Sequence, residues 1–132
     1  MRFLLAVGCL LLATRVLATE TDPACFDDDL FKEPARTLVG RLVEQKADRG
    51  KQADPFFTLE LDEGVCLNKS WREEVTRDIR SIQVFSHDGS KDRLLQKYRG
   101  KEVEVHFSFV FEPRLAHHHR SMVGSIKTVI PR

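Results

Sequence analysis

Three consecutive histidines, His117, His118 and His119, set between Arg114 and Arg120, are the residues of this chain best suited to chemistry. In an extended segment His117 and His119 point to one side and His118 to the other. Two imidazoles on one side are the start of a zinc or copper site, completed by a carboxylate or further histidine. His106 and His87 are conceivable additions, although nothing in the sequence brings them close. The same loop could instead contact a partner through Arg114, His118 and Arg120, and imidazole titration near neutrality would make such a surface pH-sensitive. No nucleophile and no positioned general base accompanies the histidines, so catalysis, including weak hydrolysis, has less support than binding.

The cysteines speak to address and stability. The chain opens with Met1-Arg2, an apolar run from Phe3 to Ala13, and Val16-Leu17-Ala18 ahead of polar residues. That is the layout of a secretory signal peptide, residues 1–18, cleaved after Ala18. The run is shorter than the roughly 20 residues that span a bilayer, so no membrane span is expected after cleavage. Cys9 leaves with the signal, and Cys25 and Cys66 remain as an even pair in an exported chain. A structural disulfide follows, because the close spacing of a redox or metal thiol pair is absent. Closing a loop of about 40 residues would stabilise the fold by roughly 4 kcal/mol on the chain-entropy account.

Cleavage removes two of the 21 basic residues and none of the 20 acidic ones, which leaves 19 against 20. A near-neutral exported chain lacks the basic footprint of a nucleic-acid binder. Residues 19–34 read as an extended acidic arm pinned at Cys25, with Asp27-Asp28-Asp29 in its middle. Three adjacent carboxylates without the spacing of a calcium loop read as a solvated turn.

The remaining residues, 35–132, suit one domain with one core. Strands are expected at Ala35 to Val43, at Phe57 to Leu61, at Ile79 to Ser86, along Val103-Val105-Phe107-Phe109-Phe111, and at Ser121 to Ile130. Apolar alternation at period two is plain at Phe57 to Leu61 and along Val103 to Phe111 and less regular in the others. Asp62-Glu63-Gly64 reads as a bend before a short buried Val65-Cys66-Leu67 segment, and residues 71–78 stay unassigned, with Trp71 and Val75 at helical spacing. Ser90 would cap a short helix from Lys91 to Arg99 that stops at Gly100. Strand, strand, strand, short helix, strand, strand is the order of a five-stranded OB-like barrel, mostly β, with one helix between strands 3 and 4.

Phe57 to Asp62 leading to Cys66, Gly100-Lys101-Glu102-Val103-Glu104-Val105, and Leu115 to Arg120 resemble, over roughly residues 35–130, a family of small secreted bacterial proteins, DUF4431. The resemblance implies an exported OB-like domain and no particular activity. The reading that results is an exported, non-enzymatic binding module in the periplasm or outside the cell. Its partner would be an envelope or extracellular protein, a glycan or an anion, met through the barrel loops. The alternative is a zinc- or copper-binding protein using His117 and His119. Phe56, Trp71 and Tyr98 are candidates for a stacking surface.

Overall fold

The computed structural model describes residues 24–46, 54–69, 74–115 and 117–132, so the expected signal peptide, the first residues of the arm and Trp71 lie outside the described residues. Within them the order is β1 (Phe26–Asp27), β2 (Leu38–Gln45), β3 (Phe56–Lys69), β4 (Glu74–Phe85), α1 (Asp92–Tyr98), β5 (Glu102–Phe111) and β6 (Val123–Pro131). Strands β2 to β6 close on one another: β3 pairs β2, β2 pairs β5, β5 pairs β6, β6 pairs β4 and β4 returns to β3. The expected small five-stranded barrel is therefore present. Its helix follows the fourth strand rather than the third, because the arm contributes a short strand of its own, β1, parallel to the end of β3.

Apolar alternation sets the barrel interior. Leu59 and Leu61 on β3, Ile82 and Val84 on β4, and Val103, Val105 and Phe107 on β5 all point into one core, joined from below by Leu95 of α1. Leu94 and Tyr98 pack against that core, so Tyr98 serves packing rather than an exposed stacking surface. A helix of seven residues would not persist in water, and burial of Leu95 is what holds it. Gly100 takes the left-handed conformation expected just past the helix, at φ 78°. Ser90 does not cap it. Asp88 instead accepts the Ser90 N–H at 2.9 Å, and Ser86 Oγ accepts the Lys91 N–H at 3.0 Å. Hydrogen bonds from the Ser90 hydroxyl and N–H hold the Asp88 carboxyl down at about 2.

Bulges account for the other departures from expectation. The β5–β6 register passes over Ser108 on β5 and Lys127 on β6, and one extra residue reverses which face the following side chains occupy. Hence Val103, Val105 and Phe107 face inward as expected, but Val110 then takes the interior position. Phe109 and Phe111 turn outward, where they meet Phe85 edge-on at 6.4 and 6.1 Å. On β6, Ile126 and Val129 share the core while Ile130 is exposed. Asp62-Glu63-Gly64 does not end a strand; it is a wide irregularity within β3, between Glu60 and Val65. Glu74 to Thr76 are extended rather than helical and pair with the end of β3.

The arm is docked. Cys25 and Cys66 are bonded, with Cα atoms 4.7 Å apart. Phe26 is buried in the core cluster, and the Arg36 guanidinium lies 4.3 Å from its ring centroid on the other side. Further along, Glu33 accepts from Lys127 at 2.7 Å, which lowers the Glu33 pKa, and lies 3.2 Å from His106 Nε2. Bulged Lys127 thus reaches the arm because it is the extra residue on its strand.

Two outcomes test this packing. A Cβ on Gly124 would overlap the ring of Phe107 inside the barrel, so Gly124→Ala should cost roughly 1–3 kcal/mol in urea denaturation. Combined with Phe107→Leu it should cost less than the two single losses added together. Replacing both Cys25 and Cys66 by serine should lower Tm by roughly 15–20 °C if the bridge carries its chain-entropy share. A shift of only a few degrees would mean that the arm is held mainly by Phe26 and its ion pairs.

Candidate functional site

The loop from Glu112 to Met122 lies against the outer face of the sheet rather than projecting from it. That face is made by side chains that alternate with the core residues: Phe56, Thr58 and Glu60 on β3, then Ser81, Gln83 and Phe85 on β4. Two latches hold the loop there.

The first latch is Gln83, a buried side chain on β4. Its Nε2 donates to His117 O at 3.0 Å and its Oε1 accepts from His119 N at 2.7 Å. Both functions of one amide are therefore spent on the loop backbone. The Gln83 N–H also donates to Met122 O at 3.0 Å, so one residue clamps the loop at three points. The second latch is Arg114, whose Nη2 donates to Asp28 Oδ1 at 3.0 Å. The Asp28 side chain is 0% exposed. Asp28 also accepts from Glu112 N at 3.4 Å and gives its own N–H to Asn68 O at 2.9 Å. Beside it Lys69 pairs with nearly buried Glu112 at 3.3 Å.

Between the latches the chain turns. His118 N donates to Leu115 O at 3.0 Å, so the segment is not extended and the two-sided arrangement of histidines does not form. His118 Nδ1 instead accepts the N–H groups of Arg114 at 3.1 Å and Leu115 at 3.2 Å. That occupies the ring lone pair of the neutral tautomer and makes His118 a brace for the turn rather than a contact residue. The ring lies edge-on to Phe111 at 5.2 Å and to His117 at 4.4 Å. Burial, followed by the charges of His117 and His119, lowers the His118 pKa.

His119 goes elsewhere. Its ring stacks on Phe56 at 4.5 Å and 25°. Arg120 lies beside the same ring, Cζ 5.4 Å from the Phe56 centroid. Arg120 Nε donates to Ser81 Oγ at 2.9 Å, and Ser81 Oγ donates to Glu60 Oε1 at 2.8 Å, which Thr58 also reaches at 2.8 Å. Arg120 Nη1 donates to His119 O at 3.0 Å. No carboxylate among the described residues forms an ion pair with Arg120.

Of the residues singled out in the sequence, the structure brings His119, Arg120 and Phe56 together. Arg114 and His118 become positioning residues, and His117 packs on His118 away from His119. His106 sits with the arm at Glu33 and Pro34, and His87 lies edge-on to Phe109 at 6.0 Å. No group of three or more His, Cys, Asp or Glu among the described residues is placed to hold a metal ion. Sequence reasoning missed Gln83 and Ser81, which belong to no motif, and read Asp28 as part of a solvated turn where its side chain is in fact buried. Among the described residues no helix is long and apolar enough to cross a membrane.

Comparison of the chain with protein-family models and with curated proteins returns no match. The site is therefore read on its geometry alone.

The brace at His118 has a pH signature. A histidine with a depressed folded pKa favours folding while neutral, so its contribution is complete above the ordinary value near 6.5. It is lost as pH falls from there through the folded value. An NMR titration should place His118 below 6.5, with amide protection at Arg114 and Leu115 falling in the same pH range. A His118 titration at or above the ordinary value would refute the acceptor role of Nδ1.

Proposed function

We propose that this protein is an exported, non-enzymatic binding module that meets a glycan, anion or protein partner through the Arg114–Arg120 loop, after loss of residues 1–18. One observation carries the reading. Gln83 and Asp28 fix the loop at both ends, while the Phe56–His119 stack and Arg120, with no carboxylate paired to it among the described residues, stay at its surface. Holding a contact loop in place before its partner arrives removes the ordering cost from the binding step, and loops on a rigid scaffold are where recognition usually sits. The bridged Cys25–Cys66 pair supports a destination outside the cytoplasm, either periplasm or medium.

Gln83→Leu keeps the volume of that side chain and removes the clamp. The oxidised wild type and this variant should be compared on columns of neutral glycan, acidic glycan and immobilised envelope protein. Wild type should be retained on at least one column, and the variant released from it at roughly a tenth of the affinity with unchanged far-UV circular dichroism. Equal retention of the two proteins would remove the loop from the contact. Amino-terminal sequencing of the exported protein should begin at Thr19. Sustained turnover of ester, phosphoester or glycoside substrates would overturn the non-enzymatic reading. Stoichiometric zinc or copper binding lost in the His117→Ala/His119→Ala variant would instead favour a metal-binding protein.

A further inference from the structure

The first half of β4 and the end of the loop diverge. Parallel pairing between β4 and β6 covers only Gln83 to Phe85, so residues 74–82 have a strand, β3, on one edge and none on the other among the described residues. A shallow groove of about 320 Å³ opens along that edge, and its walls include Thr76, Arg80 and Ser81 on one side and His119, Arg120 and Ser121 on the other. Arg77 and Asp78 complete the β4 wall.

Three independent features give this groove a preferred ligand. First, Arg120 is held rigidly at its wall by Ser81 and by the Phe56 ring, with no carboxylate paired to it among the described residues. Second, β4 carries an extra residue opposite Cys66, between the Leu67–Thr76 and Val65–Ile79 pairs, and there Asp78 adopts φ 54°. A left-handed aspartate is a strained arrangement that persists only where its surroundings enforce it. The bulge sets Arg80 at the groove, where its Nε donates to Asp78 Oδ1 at 3.0 Å and its Nη1 to Asp62 O at 2.9 Å. Bulges commonly re-aim side chains in this way. Third, the groove offers hydroxyls, from Thr76 and Ser121, and guanidiniums, with one large apolar side chain, Ile79, turned into the core.

We propose that this groove binds the sulfate or carboxylate group of an acidic polysaccharide, with Arg120 and Arg80 on the anion and the hydroxyls and the His119 ring beside the sugar. The proposal rests on the reading of the loop as a contact element and names the ligand of that site. Guanidiniums match oxyanions through paired, charge-assisted hydrogen bonds. The volume falls at the low end of the roughly 300–1,000 Å³ of small-ligand sites. A protein partner would need roughly 800 Å² of surface with an aromatic or aliphatic anchor at its centre. The charged walls and the bulged edge disfavour an added strand, since both are devices that block edge pairing.

Isothermal titration of the oxidised protein tests this with a sulfated hexasaccharide, a uronate hexasaccharide, neutral maltohexaose and hexaglutamate. At least one acidic hexasaccharide should bind, more weakly as salt rises, and maltohexaose should not. Arg120→Gln should weaken binding about tenfold or more. Ser81→Ala should weaken it less, and Arg93→Gln, a charge change on the exposed face of α1, should leave it unchanged. Amide shifts in the wild-type protein should centre on Thr76, Ser81 and His119, which keeps the test valid should a variant fail to fold. The proposal is overturned if neither acidic hexasaccharide binds, if Arg93→Gln weakens binding as much as Arg120→Gln, or if the shifts centre elsewhere. Hexaglutamate binding as tightly as the saccharides would overturn it in favour of an acidic peptide. Failure here leaves the loop reading intact if a neutral-glycan or protein column still distinguishes wild type from Gln83→Leu.

Discussion

A carboxylate taken wholly out of water decides where the arm, the end of β3 and the histidine loop must meet. Burying a charge is costly unless a partner of opposite charge and good hydrogen bonds accompany it. Asp28 finds one guanidinium, Arg114, and one backbone N–H, Glu112, for Oδ1, while Oδ2 has no partner among the described residues. With so few compensations the arrangement has little tolerance. Shift the arm by one residue and Asp28 loses Arg114; lift the loop and the same charge is stranded. The disulfide at Cys25, three residues earlier, fixes the arm at the distance that this pairing requires. A covalent constraint and an electrostatic one thereby act on the same short segment. The loop inherits its position from both.

The barrel was legible in the sequence wherever one face of a strand was apolar and the other polar. Phe57, Leu59 and Leu61 against Thr58, Glu60 and Asp62 leave no doubt about which side is inside, and the structure agrees. Val103 to Phe107 is equally plain. The reading fails just beyond, because Phe109, Val110 and Phe111 are all apolar, and a bulge at Ser108 can hand the interior position to any of them without a mark in the sequence. The same is true of Lys127 on β6. The last strand carries apolar residues at both parities, so its register comes from pairing with β5 rather than from its own pattern. The arm's docking was illegible for a different reason. An acidic, proline-bearing stretch looks solvated until a guanidinium 86 residues away is placed beside its buried carboxylate.

The histidines show that side-chain type alone does not say what surroundings each residue of a motif meets. Three imidazoles in a row suggest ligands, yet each enters a different environment here: His117 on His118, His118 under two backbone N–H groups, His119 on Phe56. A metal needs lone pairs that converge, and no group of three or more His, Cys, Asp or Glu among the described residues is placed to hold one. The residue that organises the loop is Gln83, on a strand 34 residues before His117. No spacing rule connects an inconspicuous glutamine to a loop of that separation. The connection exists because β4 and the return of β6 lie side by side, which is a property of the closed sheet.

Closure also explains why the two arginines of the loop have different duties. Arg114 enters the loop where β5 ends against the arm, and there a buried carboxylate awaits it. Arg120 leaves the loop above the outer face of β4, where the nearest acid in its network, Glu60, is reached only through Ser81. A guanidinium whose role was to stabilise the loop would gain most from direct pairing, as Arg114 does. Arg120 is held by a hydroxyl, a carbonyl and an aromatic ring, which fix its direction and leave it without a paired carboxylate among the described residues. Positioning without neutralisation costs stability slightly and gains nothing internally. An anion from another molecule would complete it, as the proposed site requires.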